Sequence, residues 1–191
     1  LFFVTSLSYF LKESKRLNLV VWAIASVLSF MTWQRNFVWK DEFTLWDDAI
    51  KRAPGKSRPY NNRGYAYEKM GLVDKAMADS NKVIELDPKA TGGYNNRGIS
   101  HKSKGDIDQA LVDFNKAIEL QPDNAEAYSN RGSIYERKGQ LDLALADYSK
   151  AIALKPFMAN PYSNRALVHR KMGSLEKALA DCNKAIELER N

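Results

Sequence analysis

Cysteine is nearly missing from this chain of 191 residues: Cys182 is the only one, so no disulfide can form within the molecule. Also missing are the HExxH, CxxC and GxxxxGK[ST] patterns that mark common zinc, redox and nucleotide sites. No nucleophile is paired with a base at a recognisable spacing. The sequence therefore predicts no catalytic residue, no metal ligand and no cofactor, and we expect this chain not to be an enzyme.

Long runs of one charge are missing too, although the net charge is +6. Acidic and basic residues alternate along most of the chain, as they do on solvated helix faces. A nucleic-acid site would instead need a basic stripe with few acids. We therefore expect no nucleic-acid partner, and nothing in the sequence indicates a small-molecule substrate.

What the chain does contain is a period of 34 residues without a single insertion. The stretch YNNRG at residues 60–64 returns as YNNRG at 94–98, YSNRG at 128–132 and YSNRA at 162–166. Such spacing is required in a stack of identical supersecondary units and has no physical reason in an ordinary globular domain. The other recurring columns are Gly71, Gly105, Gly139, Gly173; Ala76, Ala110, Ala144, Ala178; Ile84, Ile118, Ile152, Ile186; and Pro88, Pro122, Pro156.

Within each unit the apolar residues follow a helical spacing. In the third unit, Tyr128, Ile134 and Tyr135 share one side of a first helix, and Gly139 provides its stop. A second apolar stripe follows and ends at Pro156, which cannot continue a helix. Each unit is therefore predicted to be a helix, a glycine turn, a second helix and a proline loop.

These columns resemble the tetratricopeptide repeat (TPR) family over residues 57–191. The family pattern has an aromatic, Leu-Gly and Tyr in the first helix, followed by Ala, an aromatic and Pro in and after the second. The first unit of this chain is similar to that pattern, with Tyr60, Arg63, Gly64, Tyr67, Ala76, Ser80 and Pro88. The departures are arginine in place of leucine, two histidines in place of tyrosine, and a cysteine in the aromatic column. They are Arg63, Arg97, Arg131, Arg165, His101, His169 and Cys182. The resemblance implies an all-α superhelix that binds a protein or peptide in a concave groove.

An asparagine column within the motif is the candidate binding site. Asparagine is a poor helix former, so it offers the helix itself little. In the TPR family this position faces the groove, and the column resembles the asparagine ladder of O-linked N-acetylglucosamine transferases, which implies contact with an extended peptide backbone. Two alternatives remain: hydrogen bonds that join neighbouring first helices, or inheritance from repeat duplication. The predicted groove residues are Asn62, Asn96, Asn130 and Asn164, with Asn61, Asn95, Arg63, Arg97, Arg131 and Arg165 as helpers.

A second kind of TPR binding site, the carboxylate clamp, is matched poorly by this sequence. The carboxylate clamp of heat-shock co-chaperones finds only its central asparagine here, while Asn61, Tyr65, Glu126 and Asn130 occupy its other places. We therefore expect no acidic C-terminal peptide of that kind as a ligand.

Each second helix also carries an aspartate and a lysine three residues apart. We interpret these as surface ion pairs: Asp79/Lys82, Asp113/Lys116, Asp147/Lys150 and Asp181/Lys184.

The first fifty residues point to a membrane. Residues 17–33 carry no charge, and as a helix they would rise about 25 Å, near the lower limit for a bilayer. Trp33, Phe37 and Trp39 collect at one end, as an interfacial belt would. The basic residues of segment 12–16 predict that this loop is cytoplasmic, which would put the repeats outside the cytoplasm. We expect an integral protein of a bacterial inner membrane, tethered through residues 17–34.

After the predicted span, residues 35–46 resemble the junction of polytopic membrane proteins that carry C-terminal TPRs, including transmembrane O-mannosyltransferases. This resemblance implies an alternative function, the C-terminal tail of a lipid-phosphate-sugar-dependent glycosyltransferase whose catalytic part is not in this chain. Trp46 and Pro54 also precede their repeat counterparts by 34 residues, which predicts a half-repeat that caps the first full unit.

The predicted fold class is thus all-α: a TPR superhelix, or α-solenoid, of four full repeats with an N-terminal half-repeat and a preceding transmembrane helix. The predicted segments are 1–11, the end of a preceding membrane span; 12–16, a basic loop; 17–34, the transmembrane helix; 35–56, the half-repeat; and 57–90, 91–124, 125–158 and 159–191, the four repeats.

Overall fold

A computed structural model of the chain describes residues 21–33 and 42–190, all of the regular structure in them being helical. The chain divides into two units, Leu1–Asp48 and Ala49–Asn191. The prediction of an all-α fold is confirmed for the residues that the structure describes. The described helices are α1 (residues 21–33), α2 (Glu42–Arg52), α3 (Ser57–Lys69), α4 (Val73–Leu86), α5 (Thr91–Lys104), α6 (Ile107–Leu120), α7 (Ala125–Arg137), α8 (Leu141–Leu154), α9 (Ala159–Lys171) and α10 (Leu175–Arg190).

The described residues do not support the predicted membrane span. Of the predicted span, residues 21–33 form α1, while residues 17–20 and 34 lie outside the described residues. Among the described helices none is both long enough and apolar enough to cross a membrane. The expected location as an integral inner-membrane protein with extracytoplasmic repeats is corrected accordingly.

The structure describes only some of the residues to which the other N-terminal predictions apply. Segments 1–11 and 12–16 lie outside the described residues, as does the junction up to residue 41. Helix α2 lies within the predicted half-repeat at residues 35–56. Its role as a cap on the first unit stays a prediction.

Residues 57–190 form four helix pairs, in which α3, α5, α7 and α9 are the first helices and α4, α6, α8 and α10 the second helices. Each first helix is followed within two residues by a glycine with a positive φ, namely Gly71, Gly105, Gly139 and Gly173 at 72°, 88°, 74° and 75°. In the third unit the amide N–H of Gln140 donates back to the carbonyl of Tyr135 at 2.9 Å, which satisfies a carbonyl of the last helical turn. The predicted glycine turns are confirmed.

The proline loops end the second helices by a different mechanism. The residues before Pro88 and Pro122 are extended, with φ of −146° at Asp87 and −141° at Gln121, because proline disfavours helical backbone in its predecessor. The chain then returns to begin the next first helix. Second helices pack against the following first helices (α4 with α5, α6 with α7, α8 with α9), and successive first helices contact one another, which makes residues 57–190 an α-solenoid.

The core between helices relies on small residues at close approaches. The alanine column of the second helices is buried, and a cluster of Ala110, Phe114 and Ile134 joins α6 to the next repeat. Gly98 lies against the Phe114 ring so closely that an added Cβ would be 2.7 Å from Cε1. The motif glycine is therefore needed because the aromatic of the second helix occupies the space that a side chain would take.

Candidate functional site

The arginines of the repeated motif bind aspartates of the second helix in the same unit. Arg131 donates from Nε and Nη2 to the two carboxylate oxygens of Asp147, each at 2.8 Å. The guanidinium also lies over the Tyr128 ring, 5.4 Å from its centroid. The hydrogen bond to Asp147 raises the pKa of Arg131 above its ordinary value. We call this arrangement the Arg–Asp clasp; it recurs in Arg63–Asp79, Arg97–Asp113 and Arg165–Asp181.

The clasp shows that the interpretation of Asp/Lys pairs three residues apart is wrong. The aspartates are buried, with 3% to 6% of their surface exposed, and are bonded to arginines 16 positions earlier. Three of the lysines instead pair with glutamates three residues further on: Lys82 with Glu85, Lys116 with Glu119 and Lys184 with Glu187. The signal that could have found the clasp is the coincidence of an arginine column and an aspartate column.

The asparagines join neighbouring first helices. Asn96 donates from Nδ2 to Oδ1 of Asn61 at 3.1 Å, and Asn130 donates to Oδ1 of Asn95 at 3.0 Å. We call these two contacts the amide rungs. At the next interface Ser129 takes the place of Asn95, and Asn164 makes no comparable hydrogen bond among the described residues. Two members of the predicted asparagine column therefore connect repeats, as the stitching alternative expected.

The same asparagines also line a groove of about 740 Å³, which we call the amide groove. Five of the ten predicted site residues border it, and Asn164 and the four arginines of the clasp do not. The predicted residues in the lining are Asn61, Asn62, Asn95, Asn96 and Asn130. The structure thus brings both asparagine positions of the first two units to one surface and directs the arginine column elsewhere.

Several residues of the lining were not predicted. Tyr65 and Ile99 follow Asn62 and Asn96 by three residues, so helical spacing places them on the same face and could have identified them. Others come from the loops and from the starts of later first helices, whose positions the repeat pattern alone does not give. These are Thr91, Gly92, Gln121, Asp123, Asn124, Glu126, Ser129, Lys155, Met158 and Asn160.

The electrostatics of the amide groove are nearly neutral. Its only charged lining residues are Asp123, Glu126 and Lys155, and the Lys155 ammonium is 3.3 Å from the Glu126 carboxylate. The rest of the polar lining consists of amides and hydroxyls. An amide both donates and accepts hydrogen bonds, so this surface can pair with peptide groups whatever side chains they carry.

Comparison with known proteins agrees with the repeat architecture. Family models described as tetratricopeptide repeat match residues 57–90, 125–158 and 159–191, and one described as TPR repeat matches residues 100–139. Hsp70-Hsp90 organizing protein 3 of Arabidopsis thaliana is 44% identical over 48 residues, which are 25% of this chain and 9% of that protein. The match therefore spans less than a tenth of that relative's length.

Two solved structures match over most of the repeats. MamA is 26% identical with a TM-score of 0.61, covering 76% of this chain and 85% of the MamA chain. A thermophilic TPR protein of Thermus thermophilus is 27% identical with a TM-score of 0.70, covering 76% of this chain and 80% of that one. These similarities give no support to the expected resemblance to membrane glycosyltransferases.

Proposed function

Since this chain belongs to the tetratricopeptide-repeat family, we propose that it is a protein interaction module that binds an extended peptide segment in the amide groove, and that it acts by binding and not by catalysis. The observation that carries the proposal is the groove itself, a cavity of about 740 Å³ with an amide-rich wall. Sites for small ligands typically occupy about 300–1,000 Å³. The volume therefore suits a short stretch of polypeptide.

The amide rungs leave hydrogen-bonding capacity for a ligand. Each asparagine side chain offers two N–H donors and one carbonyl oxygen with two lone pairs. Asn96 donates from Nδ2 to two oxygens of Asn61, Oδ1 at 3.1 Å and the backbone carbonyl at 3.3 Å, while its own Oδ1 accepts no hydrogen bond among the described residues. Asn62 borders the groove and makes no side-chain hydrogen bond among the described residues. The stitching and binding roles are thus compatible, because a rung orients its amides and leaves other positions open to the peptide.

We predict that the amide groove binds the main chain of a peptide and not its terminal carboxylate. Glu126 occupies one of the places where the carboxylate clamp of heat-shock co-chaperones has a basic residue, and an acidic group there repels a carboxylate. Although the chain is similar to Hsp70-Hsp90 organizing proteins, the partner that we propose is therefore not the C-terminal segment of a heat-shock protein. We propose an internal, extended segment of a partner protein.

The test uses a synthetic library of random decapeptides on beads and the wild-type chain. Selected peptides are then measured in solution by fluorescence anisotropy against Asn62→Ala and Asn96→Ala, with Asn183→Ala as the matched control on the exposed surface of α10. We expect weaker binding by both groove variants and unchanged binding by the control. Equal binding by all three variants would remove the amide groove from the interaction.

Stability measurements separate the two asparagine roles. Asn96→Ala removes a cross-repeat hydrogen bond and should lower the free energy of unfolding by about 1 kcal/mol. Asn62→Ala removes no such bond and replaces a poor helix former by the best one, so its stability should not fall. Loss of peptide binding by Asn62→Ala at unchanged stability is the result that supports the proposal most directly.

A further inference from the structure

A second level of contacts links the first helices about two turns beyond the amide rungs. At the first interface Glu68 accepts hydrogen bonds from the hydroxyls of Ser100 at 3.0 Å and Ser103 at 2.7 Å. At the third interface Glu136 accepts from Lys171 at 2.7 Å and from Tyr148 at 3.2 Å. Each oxygen of both carboxylates therefore has a hydrogen-bond partner within the protein.

The middle interface has two cations at this level and no acid. Arg137 donates from Nη1 to the backbone carbonyl of Lys102 at 3.3 Å, which holds the guanidinium beside the lysine. Within the described residues neither cationic group has a carboxylate oxygen within 4.0 Å. The Arg137 guanidinium disfavours the charged form of Lys102, so an anion bound between the two groups would be attracted by both and would offset their repulsion.

The environment of Lys102 strengthens this contrast. Its side chain is half-buried, and burial lowers the pKa of its ammonium, with the Arg137 guanidinium acting in the same direction and Glu68 opposing. Lysines on a surface ordinarily extend their ammonium groups into water. Lys102 is instead partly desolvated next to a second cation, which is the setting in which an oxyanion ligand is bound most effectively.

The cation pair lies on the same helix faces as the amide groove. Lys102 follows Ile99 by three residues on α5, and Arg137 follows Asn130 by seven on α7, both spacings that keep side chains on one face. Along the helix axis Lys102 is about 4.5 Å beyond Ile99 and about 10 Å beyond Asn95. An extended peptide advances about 3.3 Å per residue, so it covers this distance in about three residues.

We propose that Lys102 and Arg137 bind an oxyanion on a side chain of the peptide held in the amide groove, either the carboxylate of Asp or Glu or the phosphate of a phosphorylated serine. The inference rests on the proposed function, since the groove supplies the rest of the ligand's contacts. It specifies the partner as a segment with an anionic residue about three positions from the part that pairs with the asparagines. An uncharged or basic residue at that position leaves the two cations unpaired.

The experiment uses decapeptide libraries on beads in which one position is fixed as Glu, phosphoserine, Gln or Lys and the others are random. For the wild-type chain we expect preferential binding to the Glu or phosphoserine libraries, and the better of these identifies the source of the oxyanion. The variant Lys102→Met/Arg137→Met should lose this preference, with affinity for the best anionic peptide falling roughly tenfold or more. Its affinity for the best Gln-library peptide should stay unchanged.

Two further variants separate specific recognition from net charge and from misfolding. Lys82→Met/Lys116→Met removes the same two positive charges from exposed ion pairs on the second helices and should keep the anionic preference. Lys102→Glu/Arg137→Glu should select the Lys library instead. Circular dichroism on every variant verifies that the helices remain folded.

Each outcome bears on one proposal or on both. If the Met variant keeps the wild-type preference, or the wild type shows none while Asn62→Ala still weakens peptide binding, the cation-pair inference is wrong and the amide groove stands. If no peptide binds in a manner sensitive to Asn62→Ala, the proposed function fails and the inference fails with it.

Discussion

The Arg–Asp clasp makes an asymmetric prediction about stability in the third repeat. Arg131→Met removes two charge-assisted hydrogen bonds from Asp147, whose side chain is 7% exposed, and a third bond to Asn115. Breaking one side of a buried ion pair typically costs about 3–5 kcal/mol. Because Asp147 keeps slight contact with solvent, we expect a loss near the lower end, about 3 kcal/mol in the free energy of unfolding.

Removing the other partner should cost less. Asp147→Asn keeps an amide oxygen that can accept from the guanidinium, and Arg131 is 19% exposed and lies over the Tyr128 ring, so water and the ring continue to solvate it. The change replaces charge-assisted hydrogen bonds by ordinary ones, a loss of about 1–2 kcal/mol. Replacing both, as Arg131→Met/Asp147→Leu, should be less destabilising than Arg131→Met alone, since no buried charge is left unpaired.

The assay is urea unfolding followed by far-ultraviolet circular dichroism, with Lys150→Met as the matched control. Lys150 is the exposed lysine that the sequence pattern assigned to Asp147, and its substitution should stay within about 0.5 kcal/mol of the wild type. The reasoning is refuted if Arg131→Met is as stable as the control. A larger loss for Lys150→Met than for Arg131→Met would restore the ion pairs predicted from the sequence.

Three further perturbations test other contacts. Gly98→Ala should destabilise by about 1–3 kcal/mol in urea unfolding, because the new methyl overlaps the Phe114 ring, and a neutral result would contradict the close approach. Gly139→Ala should cost about 1–2 kcal/mol through its φ of +74° although no atom lies within 4 Å of an added Cβ; an unchanged midpoint would argue against a backbone cause. The pKa of His169 is lowered from 6.5 chiefly by burial, so its contribution to stability is present above about pH 6.5 and is lost as the pH falls from there through the lower pKa of the folded state. His169→Tyr should reduce the acid sensitivity of the unfolding midpoint, and an identical pH profile would contradict this.

Local geometry was predictable from the sequence because each unit repeats the same one-dimensional pattern. The helix pairs, the glycine turns and the buried alanine column follow from helical spacing and from the residues that begin and end helices. The small residue required opposite the second-helix aromatic could also be inferred. Family models match the same repeat pattern.

Partner choice among charged residues was not predictable, because spacing in sequence gives candidates and only packing decides among them. Asp147 has Lys150 three residues away and Arg131 sixteen residues away, and the helix pair brings the more distant partner into bidentate contact. The predicted membrane span rested on hydropathy alone, and no described helix is both long enough and apolar enough to cross a bilayer. The asparagine column likewise allowed stitching and groove binding from sequence, and hydrogen bonds at two interfaces show that stitching occurs.

The fourth copy of the motif, YSNRA, separates the side chains that build a unit from those that depend on a neighbour. It keeps Tyr162 and Arg165, whose clasp with Asp181 is complete within that unit. This copy has Ala166 in place of the glycine, and the residue sixteen positions later is Cys182 in place of an aromatic. In the second and third units the rings of Phe114 and Tyr148 lie against Gly98 and Gly132. The fourth unit has no ring at the corresponding place. In the fourth unit the alanine is tolerated where no ring lies opposite it, whereas the first unit keeps Gly64 opposite Ser80, where an added Cβ would lie 3.2 Å from Asp79 Cβ. The same reasoning predicts that Cys182→Phe alone destabilises the fourth unit and that Ala166→Gly in the same chain restores the lost stability, measured by urea unfolding; a Cys182→Phe variant indifferent to Ala166→Gly would show that the two positions are not coupled.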